Sequence, residues 1–480
     1  MTQATIRVAP QTDARRVIAK QIARARAAQR EFEQRWTTQA QVDGVVTAIG
    51  WVAYQRENAE QLARVAVEDT GMGRVDDKIE KTRRKNFGTL RDLRDPGARS
   101  MGVIEELPDR GLVKIAKPMG VVAALVPSTN PEATPFNKVM MALKGRNAIV
   151  LAPSPKGART CALAVEFMHR ELRKVGAPLD LVQHLPGPIS KELTTELMRQ
   201  ADFVVVTGSQ SNVRAAYSSG TPAIGVGAGN VPVIVDRSAD LDDAAEKIKR
   251  SKVFDYATSC SSENHVLIHA DVYEPMLDTL RRQGGVLLTP SEKQQLQRAM
   301  WPDGRLSDVV VAKPPRVLAE RAGFEDPATR EAEFFMVEEE GVGREYPFSG
   351  EKLSVVLTVY RFRTFDEGLE LAQRILDYQG AGHSIGLHSR DEEHVWQAAH
   401  TMRVVRVLVN QAHTFGNGGG FDNGLNFTLT MGAGTWARNS ISENLSYRHF
   451  LNFTHLVRAI PPRIPSEEEL FGEYLRAYGA

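Results

Sequence analysis

Residues 121–151 read VVAALVPSTNPEATPFNKVMMALKGRNAIVL. Two short runs in it, Val121–Val126 and Ala148–Leu151, lack alternating polar residues, as strands buried on both faces do. Leu181–His184, Phe203–Thr207 and Val231–Val235 are of the same kind, and helical patterns such as Cys161–Val175 and Lys191–Gln200 separate them. Buried strands alternating with amphipathic helices predict an α/β class and a Rossmann-like parallel sheet covered on both faces. Such a sheet binds ligands in the crevice at the carboxyl ends of its strands. A second alternation starts near Val266 (VLIHA) and runs through Ser354–Tyr360 and Val404–Asn410, so a second α/β unit is expected. The segment around Cys260 falls where the two units join.

The rest of the chain bounds the class of protein. A length of 480 residues calls for two or three packed units. The 60 basic and 59 acidic side chains nearly cancel, giving no single-signed field for nucleic acid or an anionic membrane. No apolar run approaches the ~20 residues that span a bilayer, and no secretory signal is recognisable, so a cytoplasmic protein with small-molecule partners is expected. Near the start, Ile18, Ile22, Ala25, Phe32 and Trp36 recur at helical spacing, with arginines and a lysine between them that read as a solvated face. From Pro461 the chain is Pro-rich, and Ser466 with Glu469 form a capping-box signature for a short final helix. Two cysteines without clustered His or Cys neighbours make neither a disulfide framework nor a metal site. Cys161 shares an apolar helix stripe with Val165 and Met168 and reads as an inert core thiol.

Four segments carry candidate chemistry. In ALVPSTNPEATPFNK the strand ends at Pro127 and brings Asn130 to the sheet's carboxyl edge, where an amide can donate to a developing oxyanion or serve only as a turn residue. In VVVTGSQSNVRAAYSSG a strand runs into Gly208 and Ser209 and then a helix, whose free N–H groups suit a diphosphate. In GVGAGNVPVIVD the glycines Gly225, Gly227 and Gly229 precede a strand, the reverse of the dinucleotide fingerprint, and are expected to admit a flat ring or a thioester. In FDYATSCSSENHVLI the thiol of Cys260 stands among Thr258, Ser259, Ser261 and Ser262, small polar neighbours that leave sulfur accessible and offer donors.

These segments in this order resemble the aldehyde dehydrogenase superfamily, specifically its coenzyme A-acylating branch. PMGVVAALVPSTNP, GMGRVDDKIEK near Gly71, FSGEKLSVVL around Glu351 and GAGTWARNSISEN extend the likeness from about Ala27 to Phe453. The resemblance implies a cofactor-binding domain (1–99 and 119–237), a catalytic domain (238–425), a β oligomerisation extension (100–118 and 426–460) and a tail (461–480). It implies that Cys260 is the nucleophile and that Asn130 with the Cys260 N–H is the oxyanion hole. By the same likeness Glu351 holds the nicotinamide ribose, Gly208 and Ser209 meet the diphosphate, and Pro153 and Ser154 line the adenosine side. Pro127, Ser128, Lys156, Val213, Gly225, Val226, Gly227 and Leu353 complete the implied cofactor site, with no metal. Hydrolytic relatives carry a general-base glutamate about 34 residues before the cysteine, where this chain has Val226. Without that base the acyl-enzyme is expected to pass its acyl group to coenzyme A rather than to water.

Ser154, Lys156 and Arg159 offer a hydroxyl and two cations to the adenosine ribose, which favours NADP while leaving NAD open. His413, Thr414, Phe415 and Asn417 fall in the implied substrate funnel with Thr258, Ser259 and Ser261, and Arg438 stands where many relatives have glycine. The chain is most similar to acylating sulfoacetaldehyde dehydrogenases, and Arg438 would suit a sulfonate, or else form an ion pair at a subunit interface. Acetaldehyde, propionaldehyde, glycolaldehyde and succinate semialdehyde are the alternative substrates. A hydrolytic dehydrogenase, an acyl-phosphate reductase and a non-catalytic scaffold are the alternative functions. The resemblance also implies a homodimer or homotetramer.

Overall fold

The structure, a computed structural model, describes residues 11–479. Three sheets organise it. β1 (Gly102–Leu107) and β2 (Leu112–Pro118) form an antiparallel pair. β3 (Val121–Val126), β4 (Ala148–Pro153), β5 (Val182–His184), β6 (Phe203–Thr207) and β7 (Ala223–Val226) form a parallel sheet in the order β5-β4-β3-β6-β7. β8 (Val231–Val235), β9 (Glu263–His269), β10 (Gly285–Leu287), β11 (Phe334–Glu338), β12 (Val356–Phe362), β13 (Ile385–His388) and β14 (Val407–Val409) form a second parallel sheet in the order β10-β11-β12-β9-β8-β13-β14. β15 (Leu451–Val457) returns to pair with β2, so stretches over three hundred residues apart share one small antiparallel sheet.

Every residue of β3 and β4 is buried, the reason their sequences are unbroken apolar runs. Helices Gln11–Arg35, Gln39–Tyr54, Thr134–Lys144 and Ala158–Lys174 contribute to the core around this sheet through Ile18, Phe32, Val45, Met140 and Cys161. The arginines of the first helix face outward, Arg24 toward Asp180 and Arg26 toward Asp202. The second sheet has its own core, built on Val233, Val266, Phe334, Met336 and Leu357.

One expectation is corrected. Val231–Val235 was grouped with the first sheet, inside a domain ending at residue 237, but β8 lies between β9 and β13 of the second sheet. An apolar run shows that a strand is buried but not which sheet buries it. The crossover between the two parallel sheets therefore occurs in residues 227–230. The last helix, Glu467–Tyr478, carries the Ser466–Glu469 capping box, its apolar side chains largely exposed. No helix among the described residues is long and apolar enough to cross a membrane.

Candidate active site

Cys260 sits on the loop between helix Leu241–Val253 and β9. Asp255, Tyr256 and Ala257 on that loop have φ of 51°, 50° and 60°. Left-handed backbone at three successive non-glycine residues is costly and persists only where surrounding contacts over-determine it. Asp255 supplies them: its carboxylate accepts from the Arg74 N–H at 2.7 Å, the Thr258 hydroxyl at 2.6 Å and Lys78 at 3.2 Å, and pairs with Lys81. Its own N–H donates to Asp77 at 2.8 Å. The loop carrying Cys260 is thus fastened to the start of helix Val75–Leu93. Beneath the cysteine runs the glycine segment after β7, where a Cβ on Gly229 would come within 2.2 Å of the Cys260 carbonyl oxygen.

The same helix orients Asn130. The Lys81 ammonium donates to Asn130 Oδ1 at 2.6 Å and to Thr258 Oγ1 at 3.0 Å. An ammonium has only donors, so the partner must be the amide oxygen; one N–H of Asn130 Nδ2 donates to Thr129 Oγ1 at 3.2 Å, and the other is left as a donor. Asn130 lines a narrow cavity of about 30 Å³ with Lys81, Arg84, Lys85, Phe254, Ser259, Thr414, Phe415 and Leu429. An amide donor, a thiol one residue from Ser259 and a bounded cavity are the parts needed to add a nucleophile to a carbonyl and hold the resulting oxyanion.

Half-buried Cys260 has its thiol pushed up to about 12, chiefly by burial and further by the charge of Glu351, with Arg406 acting against both. Arg406 is unusual. Its buried guanidinium donates only to neutral acceptors: Asn417 Oδ1 at 2.7 Å, Asn444 Oδ1 at 3.1 Å, and the carbonyls of His383 and Gly432 at 3.1 and 2.8 Å. No carboxylate pairs with it among the described residues, so its field falls on the thiol, and Asn417 carries the contact onward to Ser261 Oγ at 2.8 Å. Glu351 is pushed up to about 8 by burial and accepts one hydrogen bond, from the Gly229 N–H at 3.2 Å.

Several expected positions do other work. His413 does not face the cavity: its Nδ1 meets the Ser261 carbonyl at 2.8 Å, its N–H donates to Glu263 at 3.0 Å, and burial holds it neutral, down to about 4. Ser261 is buried against Met431 and Asn417, and Thr258 is buried against Asp255 and Lys81, so both help build the loop. Ser259, Thr414 and Phe415 do line the cavity. Arg438 ends the turn Thr435–Ala437 with φ of 56°, the conformation glycine favours, and its exposed side chain makes no hydrogen bond or ion pair among the described residues. The space at Gly225 and Gly227 is filled from within, by Val213 and by Gln210, rather than held open for a ring. Lys81, Arg84, Lys85, Asp255 and Arg406 were not anticipated, although the first three lie in or just beyond the quoted GMGRVDDKIEK segment.

The first sheet's carboxyl edge suits a dinucleotide. Strand order reverses at β3, between β4 and β6, and Pro127, Ser128, Ser154 and Gly208 all follow these strand ends. Gly208 opens into space, its nearest potential neighbour being Asn212 Nδ2 at 3.7 Å, and Ser209 caps helix Gln210–Tyr217 just beyond it. Half-buried Glu351 keeps acceptor capacity for a diol, and Leu353 packs nearby with Met72, Val311 and Ala312. Val226 ends β7 as a buried apolar residue with no acid in the segment 225–230. At the adenosine side, however, Lys156 pairs with Asp308 at 2.7 Å and Arg159 with Glu68 and Asp69 at 3.3 Å, so neither cation is free.

Comparison with known proteins agrees with this arrangement. The aldehyde dehydrogenase family model matches residues 1–287. The chain is 52% identical over 476 residues to a sulfoacetaldehyde dehydrogenase (acylating) of Cupriavidus necator, covering 99% of this chain and 96% of that protein. An acetylating aldehyde dehydrogenase from Geobacillus thermoglucosidasius superposes with a TM-score of 0.90 at 35% identity, covering 95% of this chain and 99% of that one. A Rhodopseudomonas palustris propionaldehyde dehydrogenase solved with bound propionyl-CoA superposes with a TM-score of 0.82 at 26% identity, covering 92% and 94%. With its two parallel sheets and relatives spanning nearly its whole length, the chain belongs to the aldehyde dehydrogenase family, in its acylating branch.

Proposed function

We propose that this enzyme oxidises sulfoacetaldehyde, with NAD(P)+ and coenzyme A, to sulfoacetyl-CoA through a thioester on Cys260. The observation that carries the chemistry is that Asn130 shares one cavity with Ser259, the residue before Cys260, and that its oxygen is occupied by Lys81, which leaves an N–H for an oxyanion. The Cys260 thiol gives up its proton to solvent and adds as thiolate to the aldehyde carbon, and Asn130 Nδ2 and the Cys260 N–H hold the oxyanion of the hemithioacetal. Gly208 and Glu351 would hold NAD(P)+, which would supply the hydride acceptor. Cys260 then carries the acyl group as a thioester. Apolar Val226 gives water no general base, so the acyl group leaves for the coenzyme A thiol, and the sulfur of Cys260 is released as thiolate. Run backward, the same steps reduce an acyl-CoA to an aldehyde.

Sulfoacetaldehyde is supported by the Cupriavidus necator relative's activity and by the cationic wall of the cavity. Acetaldehyde, propionaldehyde, glycolaldehyde and succinate semialdehyde are the alternatives to be excluded. For the cofactor, NADP remains the favoured reading over NAD only on the ground that the exposed Lys156–Asp308 pair is weak enough to exchange Asp308 for a 2′-phosphate. The five-stranded unit is assigned to the cofactor and the seven-stranded unit to the nucleophile. The sheet of β1, β2 and β15 leaves two open edges, and Phe453, Leu456 and Val457 on β15 are exposed, which supports pairing into a homodimer or homotetramer. Two unbridged cysteines suit the reducing cytoplasm.

The test is NAD(P)H formation across a panel of aldehydes with and without coenzyme A. Turnover of sulfoacetaldehyde that requires coenzyme A is expected. Preference for an uncharged aldehyde would overturn the substrate, and sustained turnover without coenzyme A would overturn the acyl transfer.

A further inference from the structure

Helix Val75–Leu93 places Lys81, Arg84 and Lys85 at i, i+3 and i+4, so the three cations share one face, and all three line the cavity that Asn130 and Ser259 also line. Like charges at that spacing repel, and cations removed from water are unfavourable without partners. Lys81 has Asp255. Lys85 is buried and donates only to the carbonyls of Gly418 and Gly419, at 3.0 and 3.2 Å. Arg84 has no ion pair among the described residues, and Asp422 and Glu80 act on it only from longer range. Its guanidinium is held by aromatic faces, with Phe415 at 5.1 Å and Phe421 and Phe427 at 5.8 Å, and Arg250 lies over the Phe415 ring at 4.5 Å, adding positive charge. The cavity lining contains no carboxylate. Arg84 also lines an outer groove with Tyr54, Arg56, Glu80, Phe87 and Phe421, so it stands between the surface and the interior.

A half-buried guanidinium that has no carboxylate partner, donates to the Phe415 carbonyl at 3.5 Å, is held by rings and faces a cavity lined without acids is organised to receive an anion. Lys81 marks the carbonyl end of that cavity through its bond to Asn130, and Arg84 follows three residues later, ~4.5 Å along the helix axis. A two-carbon aldehyde with a terminal sulfonate spans that separation.

We propose that Arg84, backed by Lys85, is the specificity-determining residue that receives the anionic end of the aldehyde while the carbonyl lies at Asn130 and Cys260. This assignment rests on the reading of the substrate as an anionic aldehyde and gives it a residue. It also moves the anion site away from Arg438.

The test compares the wild-type enzyme with Arg84→Gln and Arg84→Lys in two measurements. Ethanesulfonate, which has no aldehyde, is titrated as an inhibitor competitive with the aldehyde, and kcat/KM is measured for sulfoacetaldehyde and propionaldehyde. Loss of a charge-assisted contact is expected to weaken ethanesulfonate inhibition, and to lower the sulfoacetaldehyde-to-propionaldehyde ratio of kcat/KM, by about tenfold or more in Arg84→Gln. Arg84→Lys should recover part of each and carries the test if Arg84→Gln does not fold. No inhibition of the wild type by ethanesulfonate, or equal inhibition of wild type and both variants, overturns the role of Arg84. Whether the wild type turns over sulfoacetaldehyde at all reports separately on the substrate.

Discussion

Replacing Lys81 by methionine tests the link between the strained loop and the oxyanion site. The ammonium makes three contacts at once, with Asn130 Oδ1 at 2.6 Å, Thr258 Oγ1 at 3.0 Å and the Asp255 carboxylate. Breaking a buried ion pair by removing one partner costs about 3–5 kcal/mol. Asp255 would retain Lys78 at 3.2 Å, the Arg74 N–H and the Thr258 hydroxyl, so the low end of that range, about 3 kcal/mol, is expected in denaturant unfolding. For catalysis, deletion of an oxyanion donor sets the upper bound at ~100- to 1000-fold in kcat. Lys81→Met keeps the Asn130 amide but frees it to turn, so a fall of ~10- to 100-fold is expected, with KM little changed, because the contact matters only as the oxyanion forms. The decisive arm is a double-mutant cycle. If Lys81 acts through Asn130, adding Lys81→Met to Asn130→Ala should lower kcat little further. Fully additive losses in a folded double variant would refute the coupling.

Two further perturbations follow from the electrostatics. The pH dependence of Cys260 alkylation by iodoacetamide should show a thiol in the free enzyme titrating well above the ordinary value near ~8.5. Glu351→Gln should shift that titration down by removing a negative charge, and Arg406→Gln should shift it up by removing the opposing cation; unchanged titrations in both variants would mean that neither field reaches the sulfur. Asp308→Asn should release Lys156 and lower the KM for NADP+ relative to NAD+ several-fold, whereas an unchanged KM ratio would place the 2′ position elsewhere.

The fold was largely legible because strands such as VVAALV and AIVL are buried on both faces and therefore contain no polar interruptions to disguise them. β7, β10 and β13, of three or four residues each, are too short for any pattern, and β8 shows that an apolar run does not name its sheet. Cys260 and Asn130 stood out because their neighbours are small, polar and out of step with any apolar stripe. The helix carrying Lys81, Arg84 and Lys85 did not, since cations at i, i+3 and i+4 look the same whether they face solvent or a cavity. Asp255 meets Arg74 across 181 positions, and Arg406 reaches Asn444 across 38, so only the fold brings those pairs into view. Arg438 has a side chain whose chemistry suits an anion, and the fold sets it on a left-handed turn at the surface, a placement that residue type alone does not indicate.

The central claim is that Cys260 hands its acyl group to coenzyme A because position 226 is a valine and supplies no base to turn water against the thioester. Rapid mixing of enzyme, NAD(P)+ and aldehyde without coenzyme A tests it most directly, with NAD(P)H followed by absorbance and the quenched protein by mass spectrometry. A single burst of NAD(P)H with an acyl adduct on the Cys260 peptide, discharged when coenzyme A is added, is predicted. Continued turnover releasing free acid, or an adduct that survives in Cys260→Ala, would contradict it.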